Sequence, residues 1–264
     1  MGLTFVVPDI QGIPDRIDSA IKAIDIIAGD SERTVVQLGD LVNLTERDQE
    51  NDLYALQRAI DEGWIRLIGN HEVPAITPLL TFPFSGSYTD SVVAAQIADD
   101  FTDGHYKAAY AVGDTLITHA GVLEGKWSFG AYDDDGNEIL PATLPRSSSA
   151  SDAERIINGL VDNFTTEVRE PLLESIPLIR GGRDSVGGIF WADFGQHVRQ
   201  SALGQFGLAN CYQIVGHTPN DNPVVGARLA VIDSGAKDSV TIAYTEDGQR
   251  WTYVNSRDVV KNAG

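Results

Sequence analysis

The chain has 264 residues, 42% of them hydrophobic, and its 38 acidic residues against 19 basic ones give a formal net charge of -19. This length and apolar content suffice for one large core, so we expect a single domain over residues 1–264. Such an acidic surface repels polyanions, which argues against nonspecific nucleic-acid binding. The sequence leaves the oligomeric state open.

Two features indicate the compartment. No stretch approaches the roughly 18 uninterrupted apolar residues that a membrane helix needs, and no basic region precedes the short apolar run at the N-terminus. Cys211 is the only cysteine, so an internal disulfide is excluded, which suits a reducing compartment. We expect a soluble, cytoplasmic protein with no membrane association.

The first seventy residues alternate between short apolar runs and amphipathic stretches. Ile17, Ile21 and Ile24 have helical spacing, and Thr45 is the expected N-cap of a second helix. β-prone runs that stop at polar turns predict strands at residues 3–7, 34–38 and 64–68. This β-α-β-α-β order predicts a mainly parallel sheet, with ligand sites at the carboxyl ends of its strands.

Later in the chain the strands are more closely spaced. A hairpin is predicted over residues 106–118, turning at Gly113 and ending just before His119. Residues 127–151 are rich in Asp, Gly, Ser and Pro and are predicted to form an exposed insertion, followed by a helix over 152–167. Further strands are predicted at residues 211–215, 229–232, 239–244 and 250–254, the last three as closing antiparallel strands.

A polar residue follows each of five predicted strands: Asp9, Asp40, Asn70, His119 and His217. Their separations of about 30, 30, 50 and 100 residues are too long for local structure, but are natural for ligands that different strands of one fold bring together. Carboxylate and amide oxygens suit Mn²⁺ or Mg²⁺, and imidazole suits Fe²⁺, Zn²⁺ and Mn²⁺. Any one of them alone could be a turn residue; as an ordered set they predict a metal site.

Five short motifs in order resemble those of calcineurin-like metallophosphoesterases: Asp9-Ile10-Gln11-Gly12, Gly39-Asp40-Leu41-Val42-Asn43, Gly69-Asn70-His71-Glu72, His119-Ala120-Gly121 and Gly216-His217-Thr218-Pro219. With residues 232–236, they are most similar to the branch of serine/threonine protein phosphatases and diadenosine tetraphosphate hydrolases. The resemblance covers positions 5 to about 240. It implies an α/β fold of the four-layer αββα type, with mixed β-sheets and an active site at the carboxyl ends of the strands.

The resemblance also implies two divalent metal ions, with Mn²⁺ expected and Fe, Zn, Ni, Co or Mg as alternatives. Asp40 would bridge the two ions, and a metal-bridging hydroxide would attack the phosphorylated substrate. His71 would act as general acid on the leaving oxygen, whereas Glu72 is interpreted as a helix-start residue. The ligands implied are Asp9 and Gln11 for the first metal and Asn70, His119 and His217 for the second.

The chain departs from the family pattern at three places. Gln11 replaces a His, so we expect a weak first-metal site. Asn43 replaces the Asp that orients the catalytic His in the family. Its amide can accept a hydrogen bond but cannot stabilise an imidazolium by charge. Leu44 and Thr45 replace an Arg-Gly pair that binds phosphate; the remaining candidates for substrate binding are Arg180, Arg183 and Arg199.

The sequence therefore predicts a metal-dependent phosphoester hydrolase, either a phosphatase or a phosphodiesterase. The alternative is a catalytically weakened relative that acts as a metal-binding interaction module, which the changes at Gln11, Asn43 and Leu44 keep open. The physiological substrate is left open, because activities on many phosphate esters share such a metal core.

Overall fold

A computed structural model describes residues 2–44, 49–76, 91–122, 131–132, 138–140, 148–162, 188–192, 208, 210–234 and 237–263. Within these ranges the helices are α1 (Pro14–Ala28), α2 (Gln49–Asp61), α3 (Val73–Ile76), α4 (Val92–Thr102), α5 (Ala150–Asp162) and α6 (Ser256–Ala263). The first strands are β1 (Leu3–Val7), β2 (Arg33–Gln37), β3 (Ile65–Leu67), β4 (Tyr106–Lys107), β5 (Ala109–Val112), β6 (Thr115–Thr118), β7 (Ala131–Tyr132) and β8 (Glu138–Leu140). The later strands are β9 (Tyr212–Val215), β10 (Val224–Val225), β11 (Leu229–Val231), β12 (Thr241–Thr245) and β13 (Thr252–Asn255).

The strands form two mixed sheets and one short ribbon. A six-stranded sheet has the order β13-β12-β1-β2-β3-β4, in which β1 to β4 are parallel and β12 and β13 are antiparallel to their neighbours. A five-stranded sheet has the order β10-β11-β9-β6-β5, and its central strands β11, β9 and β6 are parallel. The two-stranded ribbon is β7-β8.

The two large sheets pack face to face. Val6 and Val36 from the six-stranded sheet lie in one buried cluster with Ile117 and Ile214 from the five-stranded sheet. Because strand side chains alternate between faces, Phe5, next to Val6, belongs to the other face and to the cluster that contains the apolar side of α1. Helix α5 packs on β5 and β6 of the second sheet. The expected αββα layering is therefore confirmed.

The parallel strands bring their carboxyl ends to one edge of the sandwich. Asp9, Asp40 and Asn70 follow β1, β2 and β3, while His119 and His217 follow the parallel neighbours β6 and β9. Hydrogen bonds join these loops directly: Ile10 N–H donates to the Asp40 carbonyl at 3.0 Å, and Gly216 N–H donates to the His119 carbonyl at 2.8 Å. Five segments distant in sequence thus meet at one place.

Several predicted elements have different bounds or partners. The predicted strand over residues 106–112 is interrupted at Ala108, because β4 pairs with β3 in one sheet and β5 pairs with β6 in the other. Strand β11 is antiparallel to β10 but parallel to β9, so the prediction of a purely antiparallel strand there was wrong. Helix α6 was not predicted. Thr45, residues 163–167 and the predicted insertion other than 131–132, 138–140 and 148–151 lie outside the described residues.

Among the described helices, none combines the length and the apolar character needed to cross a membrane.

A buried ion pair fixes α4 to the parallel edge of the six-stranded sheet. Arg66 in β3 pairs with Asp100 in α4, and both side chains are almost inaccessible. Gln96 donates to the other carboxylate oxygen of Asp100 at 2.7 Å, and the Arg66 guanidinium lies 4.6 Å from the centre of the Tyr106 ring. A buried charge with its partner removed is strongly destabilising.

Replacing Asp100 with Ala is expected to lower the free energy of unfolding by about 3–5 kcal/mol, because the Arg66 charge stays buried without its counter-ion. Urea denaturation followed by circular dichroism measures this change. Asp99→Ala is the matched control, since Asp99 is exposed on the same helix. Equal losses in the two variants would contradict the role given to the pair.

Candidate metal centre

His119 lies at the centre of the strand-end cluster. Its Nδ1 is 3.0 Å from the Leu38 carbonyl oxygen, which can only accept, so Nδ1 carries a proton. In the neutral ring, Nε2 then presents a lone pair. That atom lies 3.1 Å from Asn70 Oδ1, 3.1 Å from His217 Nδ1 and 3.5 Å from Asp40 Oδ1. A set of electron-pair donors that converge in this way suits a divalent cation.

The predicted second-metal residues are brought together. Asp40, His119 and His217 are all buried, and one ligand atom from each lies within 4.8 Å of the others. Asn70 adjoins this group through its contact with His119. The donor set of carboxylate, amide and two imidazoles fits Mn²⁺, Fe²⁺ or Zn²⁺. Their role as ligands stays a prediction.

Asp9 lies beside this group and is also fully buried. Its Oδ1 accepts the His217 backbone N–H at 3.1 Å, whereas Oδ2 is buried with no hydrogen-bond partner among the described residues. Burial raises the pKa of the Asp9 carboxyl well above its usual range, and the charges of Asp233 and Asp40 raise it further. A buried carboxylate oxygen left in this state would be satisfied by a cation.

The backbone of Gln11 is hydrogen-bonded to the backbone of Asp40. Its N–H donates to the Asp40 carbonyl at 2.8 Å, and its own φ of 52° is in the left-handed region, as is the φ of 51° at Asp40. The Gln11 side chain is half-buried. The loop therefore keeps Gln11 beside the proposed bridging residue, while coordination by its amide stays a prediction.

Glu72 holds the Asp40 and Asn70 loops together, a role that the sequence did not indicate. Its fully buried carboxylate accepts N–H groups from Gly69 at 2.8 Å, Asp40 at 2.8 Å, Leu41 at 2.9 Å and Val42 at 3.4 Å. Burial raises the pKa of Glu72 to about 7; the Asp40 charge adds to the rise, and the N–H donors oppose it. Its position just before α3 is compatible with the helix-start interpretation, but its contacts are mainly with another loop.

The same two loops touch through glycine backbone. An ideal Cβ on Gly69 would lie 2.2 Å from Asp40 N, and one on Gly39, whose φ is 97°, would lie 2.4 Å from Gly69 N. No larger residue fits either position without moving a loop. The glycines of the second and third motifs thus allow the Asp40 and Asn70 loops to meet.

Two further residues near Asp9, Asp233 and Arg16, were also missed by the sequence reading. Asp233 is buried, and burial raises its pKa to about 6, with the Arg16 guanidinium opposing the rise and the Asp40 charge adding to it. Arg16 in α1 is also buried and donates to the Asp9 carbonyl at 3.3 Å. Asp233 could have been found from the motif at residues 232–236, whereas Arg16 gave no local signal.

His71 is the more accessible member of the site, with 20% of its side chain exposed. Its backbone N–H donates to Asp40 Oδ1 at 2.9 Å, and its Nε2 lies 3.7 Å from Asp40 Oδ2. Its Nδ1 is 3.0 Å from the backbone carbonyl of Asn43. The residue that replaces the orienting Asp of the family pattern therefore contacts His71 through its backbone carbonyl.

The proposed substrate-binding residues Arg180, Arg183 and Arg199 lie outside the described residues. The short segment 188–192 between them is described and packs against the site. Ala120 N–H donates to the Ile189 carbonyl at 2.9 Å, and the rings of Trp191 and His217 meet edge to face at 6.4 Å. The segment between these arginines in sequence thus contacts the candidate metal centre, while the role of the arginines stays a prediction.

No family model matches the chain, and a comparison with curated proteins finds no match. Solved structures do show likeness. A putative diadenosine tetraphosphatase is 15% identical, with 96% of this chain and 93% of that chain covered and a TM-score of 0.48. A metallophosphoesterase from Sphaerobacter thermophilus is 13% identical, with 99% and 94% covered and a TM-score of 0.43. A serine/threonine phosphatase from Saccharomyces cerevisiae, with similarity to human PP5, is 13% identical, with 96% and 79% covered and a TM-score of 0.48.

At these identities and TM-scores the likeness carries no information on the reaction. The chemistry must be read from the side chains at the strand ends.

Mn²⁺ binding is expected to tighten as pH rises from about 5 to 7, because the raised pKa values of Asp9 and Asp233 mean that protons must leave when the cation binds. Calorimetry in two buffers of different ionisation enthalpy counts the protons released. Asp233→Asn should reduce that number, while Asp15→Asn, which changes an exposed acid on α1, should leave it unchanged. Mn²⁺ binding without proton release would contradict the expectation that Asp9 and Asp233 lose protons when the cation binds.

Proposed function

We propose that the protein is a metal-dependent phosphoester hydrolase. The observation that carries the proposal is the buried group of Asp40, His119 and His217, with ligand atoms within 4.8 Å of one another. His71 Nε2 lies 3.7 Å from Asp40 Oδ2 at the accessible side of this group. A cation site with a histidine at its accessible side has the parts needed to bind a phosphate ester and protonate its leaving group.

The residues fit two divalent ions unequally. Asn70, His119 and His217 with Asp40 would hold one ion, and Asp9 and Gln11 with Asp40 would hold the other more weakly, because Gln11 offers only a neutral amide. We propose Mn²⁺ as the metal, since carboxylate, amide and imidazole ligands all suit it. When bound, such ions activate water as a nucleophile and neutralise charge on the phosphoryl oxygens.

The proton on the leaving group would come from His71. Because the Asn43 carbonyl can only accept, the bond at 3.0 Å keeps a proton on Nδ1. Proton transfer must then use Nε2, the nitrogen that faces Asp40. In the imidazolium form this nitrogen can donate to a leaving oxygen and afterwards regain its proton from water.

The direct test is turnover of p-nitrophenyl phosphate and bis-p-nitrophenyl phosphate with Mn²⁺, Ni²⁺, Co²⁺ or Mg²⁺. The proposal expects metal-dependent hydrolysis of at least one ester, abolished by chelation and restored by the metal. Comparison of the two esters separates phosphatase from phosphodiesterase activity. Metal binding without turnover of either ester would overturn the proposal in favour of a metal-binding interaction module.

His71→Ala is expected to lower kcat by about 10²–10⁴-fold while bound metal is retained, because the residue would act on the leaving group and not as a ligand. Metal content is measured by elemental analysis of the same sample. The matched control is His105→Ala, which removes an exposed histidine. Unchanged turnover in the His71 variant would mean that another group supplies the proton.

Gln11→His is expected to strengthen the first-metal site, because imidazole is a better ligand than a neutral amide. His tolerates the left-handed φ of 52° at this position better than most residues do. Titration with Mn²⁺ should show the weaker binding step moving to lower metal concentration. Gln57→His, an exposed change on α2, is the control and should leave that step in place.

A further inference from the structure

Asp52 is a buried carboxylate that belongs to none of the metal-site motifs. It lies in the first turn of α2 and is fully inaccessible to solvent. Its Oδ1 accepts the Asn43 N–H at 2.7 Å, and its Oδ2 accepts the Leu44 N–H at 2.7 Å. Both contacts are short, charge-assisted hydrogen bonds to the loop that follows Asp40.

These two bonds hold the loop in a conformation that the chain would otherwise avoid. Leu44 has a φ of 50°, in the left-handed region, where a large non-glycine residue is strained. The carboxylate is confined on its other side as well. An ideal Cβ on Gly12 would lie 2.0 Å from Asp52 Oδ1, so the loop after Asp9 packs directly against it. Asp52 therefore fixes the relative position of the first two motif loops.

The bond to Leu44 has a second effect, because the Leu44 N–H and the Asn43 carbonyl belong to one peptide group. Asp52 Oδ2 accepts from the N–H end of that group at 2.7 Å. The carbonyl end lies 3.0 Å from His71 Nδ1 and accepts its proton. Hydrogen bonds in series polarise one another, so a carboxylate at one end makes the carbonyl at the other end a better acceptor.

We propose that Asp52 is the positioning residue for His71 and acts through the peptide group between Asn43 and Leu44. It holds this carbonyl against Nδ1, which keeps Nε2 as the nitrogen available for proton transfer. The inference rests on the proposed function of His71 as a general acid. It also explains how the histidine is oriented although position 43 carries an amide: the negative charge is one peptide group away, on Asp52.

The test uses the full-length chain with Mg²⁺, a diamagnetic ion that permits nuclear magnetic resonance of the His71 ring nitrogens. In the unmodified chain the neutral ring should be the tautomer with the proton on Nδ1. Asp52→Asn should weaken this preference, because an amide can accept at only one of its two positions. Asp61→Asn is the matched control, since Asp61 is exposed on the same helix. A proton on Nε2 in the unmodified chain would overturn the proposal, whether or not the variant folds.

Kinetics separate positioning from a general structural role. Asp52→Asn should lower turnover of phenyl phosphate, whose leaving group needs a proton, by about tenfold, and that of p-nitrophenyl phosphate less. In the His71→Ala background the same change should have no further effect on kcat, because the two residues act as one unit. The positioning role is overturned, while the hydrolase function stands, if Asp52→Asn lowers turnover of both esters equally and does so again in the His71→Ala background.

If the unmodified chain hydrolyses neither ester with any of the metals, the proposed hydrolase function is wrong. The ring-nitrogen measurement still decides whether Asp52 controls the His71 tautomer, so failures of the two proposals are distinguishable.

Discussion

The site depends on one constraint: loops that are distant in sequence must be held with their backbones in contact. The Glu72 carboxylate does this for the Asp40 and Asn70 loops, accepting N–H groups from Gly69, Asp40 and Leu41 at 2.8–2.9 Å. Inside a protein, each of these N–H groups would be costly to leave unpaired. One side chain that satisfies three of them therefore holds the Asp40 and Asn70 loops in a fixed relation to each other.

Asp52 binds the next two N–H groups of the same loop, those of Asn43 and Leu44. Both carboxylates bind backbone N–H groups of the loop that follows β2, while Asp9 and Asp40 lie in the strand-end cluster itself. The buried acids Asp9, Asp40, Glu72 and Asp233 would repel one another, and the raised pKa values of Asp9, Glu72 and Asp233 reflect this together with burial. A cation lowers that repulsion, so the arrangement is consistent with ion binding as part of the folded state.

Much of the framework could be predicted because its signals are local. The alternation of apolar runs with helical spacing predicted β1, α1 and the five strand ends, and the motifs identified Asp40, His119 and His217, which the structure brings together. The errors have a common origin. The division of residues 106–112 between two sheets depends on which strands lie alongside, and no local pattern encodes that choice.

The sequence by itself determined the positions of the ligand candidates and their chemical character, because residue type and strand ends are written along the chain. Only the tertiary structure decided which carboxylates belong to the strand-end cluster and which hold its loops together. Glu72 reaches Leu41 across 31 residues, and the backbone carbonyl of Asn43 lies 3.0 Å from His71 Nδ1. Such roles arise from distances between folded loops, where burial and the need to pair every N–H group decide what each side chain does.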